Sequence, residues 1–183
     1  MPPAVPSGSS SLGAGVVIRV VVGVMAAAIA YLGVQHFLHR GVELPESIAG
    51  VSRMHDASSK EFEEQMQTEA ERADVQADAG MFGTVAQPEF LVVVVNGSPS
   101  ESTDELFQSF TGGITQAGAL VGSDKSQGEL KDASYRCVAA SGNGVQVGTC
   151  MWRADDHVGF VLDLDGDIES AEQLTSLVYR ALN

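Results

Sequence analysis

The sequence predicts an α+β domain, a mostly antiparallel sheet with packed helices, held behind one N-terminal transmembrane helix. Three observations predict it. An uncharged apolar run occupies Val20–Leu38. The chain beyond it alternates helical and strand periodicity in the order α-β-β-α-β-β-β-α. The last three strands are joined by turns too short for crossovers, which makes them antiparallel neighbours.

Val20–Leu38 contains no Asp, Glu, Lys or Arg. At about 1.5 Å per residue it spans roughly 28 Å, close to the ~30 Å hydrocarbon core. Arg19 stands where a side chain can snorkel to the headgroups, and Tyr31, His36, His39 and Arg40 suit the far interface. We assign residues 15–39 to the anchor and the Pro/Ser/Gly-rich residues 1–14 to a disordered cytoplasmic tail. The competing expectation is a signal peptide, with Val20–Ala27 as its h-region and cleavage after Ala30. Apolarity continues to Leu38, longer than an h-region needs, and this favours the uncleaved anchor. One Arg on each side gives no positive-inside vote, so the outside location of the domain rests on its cysteines.

All 24 acidic residues lie beyond position 42, with only eight of the ten basic ones. Such a domain repels phosphate backbones and anionic headgroups, which argues against nucleic acid as a partner. Solubility is the plain reading of the charge; a cationic partner or a divalent ion is the functional one.

Residues 40–56, with Pro45 and Gly50, read as a linker or a first extended segment, and 57–183 as the extracytoplasmic domain. Ser58 to about Val75 is a helix, with Ser58 and Glu61 as a capping box and Phe62, Met66, Ala70 and Ala73 on a thin apolar stripe. Gly80–Ala86 and Phe90–Val95 read as strands joined across Gln87-Pro88-Glu89. The second is apolar on both faces and so belongs in a central, covered position. Ser102 and Glu105 cap a second helix bearing Leu106, Phe110, Ile114 and Ala117. The polar stretch Gly118–Lys131 reads as a loop. Strands follow at about Ala133–Ala140, Val145–Arg153 and Val158–Leu164. A last helix runs from about Ile168 to Leu182, capped by Asp167 or Ser170, with Leu174, Leu177, Val178 and Ala181 inward.

Asn143-Gly144 is a strong hairpin signal. A two-residue turn there sets Gly142 opposite Val145, Ala139 opposite Gly148, Cys137 opposite Cys150 and Tyr135 opposite Trp152. The cysteines fall at a non-hydrogen-bonded pair, where Cα atoms approach to about 4.5 Å, within disulfide range. A structural disulfide between Cys137 and Cys150 is expected. Tyr135 and Trp152 share its face, which is either covered by a helix or exposed as an aromatic partner patch.

Candidate chemistry is sparse. Twelve residues separate the cysteines, against the two of a redox motif. Asp163, Asp165 and Asp167 alternate like the start of a calcium loop, yet Ile168 stands where that loop needs Gly and Leu174 where it needs Glu. The favoured reading is a strand-to-helix turn with its acids at the helix N-terminus, where the helix dipole welcomes them. His157 beside Asp155 and Asp156 could form a carboxylate-supported general base, but no nucleophile motif accompanies it.

LPESIAG (44–50), FLVVVV (90–95), DELFQSF (104–110), YRCV (135–138) and GTCMWRADDHVGFV (148–161) with the closing helix resemble a group of actinobacterial membrane-anchored or exported small domains. The resemblance implies an envelope location with paired cysteines and supplies no activity and no functional residues; no cofactor motif stands out in the sequence. The element order is similar to PsbP-like envelope domains as architecture only. The expected role is non-enzymatic binding of an envelope protein or peptide by a membrane-anchored domain. The alternatives are an envelope hydrolase built on His157, an exported protein cleaved after Ala30, and a purely structural envelope protein.

Overall fold

The computed structural model describes residues 41–97, 99–142, 145–164 and 166–183. The expected tail and the span Val20–Leu38 lie outside the described residues, as does the Asn143-Gly144 turn. Among the described residues no helix is long and apolar enough to cross a membrane. The elements follow in the order β1 (Ser47–Ile48), β2 (Val51–Ser52), α1 (Ala57–Arg72), β3 (Gln76–Thr84), β4 (Gln87–Asn96), α2 (Thr103–Gln116), β5 (Leu120–Glu129), β6 (Ser134–Gly142), β7 (Val145–Arg153), β8 (His157–Asp163) and α3 (Ile168–Leu182).

β1 and β2 form a small ribbon, and the other six strands one antiparallel sheet ordered β3-β4-β8-β7-β6-β5. Helices lie on both faces. On one, Phe62 and Met66 of α1 and Phe110 and Ile114 of α2 pack with Leu91, Val93, Met151 and Phe160. On the other, Val178 and Tyr179 of α3 join Leu44 and Ile48 over Val92, Val94, Trp152 and Val161. Double coverage explains the unbroken apolar run of β4, where no residue from Phe90 to Val95 exceeds 4% exposure. The capping box of Ser102 and Glu105 forms as expected, and the N–H of Ser102 together with its hydroxyl holds the Glu105 carboxyl below the usual range.

Three expectations are corrected and one alternative is decided. The stretch read as a loop over Gly118–Lys131 contains β5. An edge strand needs few apolar residues, and a register shift between Val121 and Lys125 hides its alternation. Of the two readings of the stretch before α1, the extended segment holds: residues 41–56 contain the β1–β2 ribbon and are fastened to the domain. Asp56, rather than Ser58, caps α1: its carboxylate accepts the Ser59 N–H at 3.0 Å, and that bond holds its pKa below the ordinary value. In α3, Val178 and the partly buried Leu174 face inward as expected, joined by Ala171, Thr175 and Tyr179, while Leu177 is 38% exposed and Ala181 is exposed. Thr175 tolerates burial because its hydroxyl donates to the Ala171 carbonyl at 2.7 Å.

The β3–β4 connection is also shorter than expected. Thr84 pairs with Gln87, so Val85-Ala86 is the turn and Pro88 lies inside β4. Pro88 is tolerated because it faces Gly83 at a register shift, where φ is +131° and the ladder is already broken.

Candidate functional site

The β6–β7 hairpin has the register expected of a two-residue turn, from Gly142 opposite Val145 to Tyr135 opposite Trp152. Cys137 and Cys150 are bonded, with Cα atoms 4.0 Å apart. Both are fully buried, packed beneath Ala171 of α3. The helix comes this close because residue 148 is glycine: a Cβ there would lie 2.1 Å from the Asp167 carbonyl oxygen. A disulfide under a helix and without solvent contact serves structure rather than thiol exchange.

The aromatic pair flanking the disulfide is not a contact patch. Trp152 is 0% exposed and lies across Gly159 of β8, where a Cβ would stand 1.8 Å from Cζ2. α3 and the N-terminal segment cover it, the helix-covered alternative of the two read from sequence. Tyr135 is half-buried over Gly128, and burial, then the charge of Glu172, pushes its phenol pKa up.

His157 opens β8 on the same face and is 1% exposed. Its Nδ1 lies 2.7 Å from the Asp156 carboxylate, its ring stacks on Tyr179 with centroids 6.1 Å apart, and Trp152 meets it edge-on at 6.3 Å. Tyr179 is buried, and its phenol pKa is raised by that burial and then by the charge of Asp132. An imidazole oriented by a carboxylate has the arrangement of a general base. The second nitrogen, which would take the proton, is nevertheless buried and meets no hydrogen-bonding group among the described residues. Asp155 and Asp156 are exposed at the turn before it.

The acidic turn resolves into helix capping. The Asp167 carboxylate accepts the Ser170 N–H at 2.7 Å, and the Ser170 hydroxyl donates to the buried Asp163. Asp165 lies outside the described residues. Among the described residues, no three His, Cys, Asp or Glu side chains converge as a metal site.

A polar fastening that hydrophobic periodicity does not reveal holds the N-terminal segment. The Arg53 guanidinium, 12% exposed, pairs with Glu63 of α1 and Asp78 of β3 at 3.1 Å each and donates to the Ala79 carbonyl at 2.7 Å. Burial works against its charge, but Asp78 and then Glu63 outweigh this and raise its pKa. Asp78 also accepts the Leu44 N–H at 2.7 Å, and Asn96 accepts that of Val42 at 2.6 Å. The one available signal was a lone Arg in an otherwise uncharged stretch of the linker. No protein-family model matches the chain, and no curated protein does.

Proposed function

We propose that the protein is a single-pass membrane protein whose acidic C-terminal domain lies outside the cytoplasm and binds a protein or peptide partner there without catalysis. The observation that carries this reading is the fully buried Cys137–Cys150 disulfide. Such bonds persist in oxidising compartments. The uncharged run Val20–Leu38 supplies the anchor, and the resemblance to actinobacterial envelope domains implies the same location. Binding is favoured over hydrolysis by the burial of the His157 imidazole, whose free nitrogen has no access to a substrate. The surface best suited to an extended peptide is the outer edge of β5, which pairs within the sheet only with β6 and can accept main-chain hydrogen bonds from an added strand.

The test is labelling of intact cells with a membrane-impermeant amine reagent, together with sequencing of the mature N-terminus. Lys131, 87% exposed, is the reporter. Its modification in a chain that retains residues before Ala30 supports the reading. A mature chain beginning at Tyr31 converts it to an exported protein, and labelling only after lysis overturns the outside location. Crosslinking in membranes then tests binding: a specific neighbour supports it, and none counts against it. Retention of every screened hydrolytic activity in His157→Ala would remove the enzyme alternative.

A further inference from the structure

Resting on the reading of β5 as a binding edge, we infer that the strand added there is the β5 of a second copy of this chain, paired antiparallel about Gln127. The sheet has two edges, and the chain treats them differently. The N-terminal segment covers β3: the Met54 N–H donates to the Met81 carbonyl at 2.8 Å, Arg53 bridges to Phe82, and its guanidinium donates to the Ala79 carbonyl. β5 pairs within the sheet only with β6, and Lys125, Gln127 and Glu129 are exposed along it. α2 packs over β5, β6 and β7, and α3 over β6, β7 and β8, which leaves the rim of β5 open.

Hydrogen-bond phase and charge together identify the occupant. Cys137 and Cys150 form a non-hydrogen-bonded pair, their Cα atoms 4.0 Å apart, so the main-chain N–H and C=O of Cys137 turn away from β7 toward β5. Ser126 faces Cys137 and Gly128 faces Tyr135, and both turn their own main-chain groups inward to β6. Those of Lys125, Gln127 and Glu129 therefore point outward. In an antiparallel pair centred on Gln127, outward groups meet outward groups: Gln127 opposes its own equivalent, and Lys125 opposes Glu129 of the second copy. A lysine ordinarily protects an edge strand from pairing. Here the same strand carries the acid that answers it, equally far from Gln127 on the other side, and two-fold symmetry repeats the ion pair. Sliding one copy by two residues opposes Lys125 to Gln127, or Gln127 to Glu129, and loses both ion pairs. The regular stretch is short, since a register shift between Val121 and Lys125 breaks the edge, so charge rather than length sets the register.

Disulfide trapping tests this. Residues opposed at a hydrogen-bonded antiparallel pair have Cα atoms about 5.5 Å apart, within the ~4.4–6.8 Å that a disulfide needs. The full chain carrying Gln127→Cys would be oxidised mildly in detergent micelles, the native pair remaining bonded. Val85→Cys, at the β3–β4 turn where Val85 is 74% exposed, is the comparison. The expected result is a linked dimer that forms several-fold faster from position 127 than from 85. Adding Lys125→Glu should slow it several-fold, and adding Glu129→Lys to that should restore it. Equal linking from 127 and 85 is chance collision and overturns the inference, as does linking at 127 that ignores Lys125→Glu. A Gln127→Cys chain that links in membranes to a chain of different mass, and never to itself, overturns the second copy while leaving β5 as a binding edge. No linking of either kind overturns the edge reading and the inference with it.

Discussion

Reduction of the Cys137–Cys150 bond should lower the melting temperature by about 10 °C. The bond spans a sequence separation of 13, and closing a loop of that size removes about 3 kcal/mol of unfolded-chain entropy. For a chain of this length each kilocalorie moves the midpoint by roughly 3–4 °C. Native packing adds a kinetic signature. Neither cysteine is exposed and Ala171 of α3 lies over both. Reductant therefore reaches the sulfurs only after α3 or the hairpin opens, and the reduction rate should rise steeply with denaturant. The assay is circular dichroism melting of oxidised and reduced protein, with alkylation to count free thiols. Two alkylated thiols with an unmoved midpoint would refute the entropic argument. Rapid reduction in native buffer would refute the burial argument separately.

Three further outcomes are expected. Gly159→Ala places a methyl group inside the Trp152 ring, which has no space to move, and should cost about 3 kcal/mol; the emission of the single tryptophan should shift to the red. Arg53→Ala strands Asp78 and Glu63, whose side chains keep 27% and 29% exposure, so the loss should be about 2 kcal/mol by denaturant titration, below that of a fully buried pair, and Arg53→Lys should recover only part of it. The caps set an acid limb: the folded-state pKa values of Asp56 and Glu105 are depressed, so their stabilisation is full above the ordinary carboxyl range near pH ~4 and fades as pH falls through the lowered values. Asp56→Asn, compared with the parent in melts across that range, should flatten the limb.

What could be read from the sequence follows from where local rules coincide with tertiary ones. The hairpin pairing of Cys137 with Cys150 was legible because a two-residue turn leaves one register, and β7 and β8 alternate cleanly between two buried faces. The capping box of Ser102 and Glu105 was legible because it is a local motif. β5 was not, because its exposed polar residues, Lys125 and Gln127 among them, satisfy an edge position whose apolar demand is small. The inward stripe of α3 was legible at Leu174 and Val178 but not at Thr175 and Tyr179, which hydrophobicity alone ranks below the exposed Leu177. Trp152 could be placed on a face, but only the absent side chain of Gly159, one strand away, shows that the ring lies down and is covered.

The polar groups of this domain share one pattern, and it bears on function more than any single residue. Arg53, Asp78 and Asn96 fasten the N-terminal segment to β3 and β4. Asp163, Ser170 and Asp167 fasten the start of α3, and Thr103 of α2 bonds Ser134 of β6 at 2.8 Å. The first and the last join segments distant in sequence and raise the cost of moving one layer over another, while the second is local and fixes where α3 begins. Catalytic sites need the reverse: polar groups withheld from structure and aimed at a cavity. Among the described residues, Trp152 Nε1, His157 Nε2 and Arg153 Nε are buried without a hydrogen-bond partner, and the Trp152 and His157 rings lie beneath α3 and the N-terminal segment. Side chains that lock the layers together in this way hold the outer surface rigid, and a rigid surface meets a partner at little ordering cost.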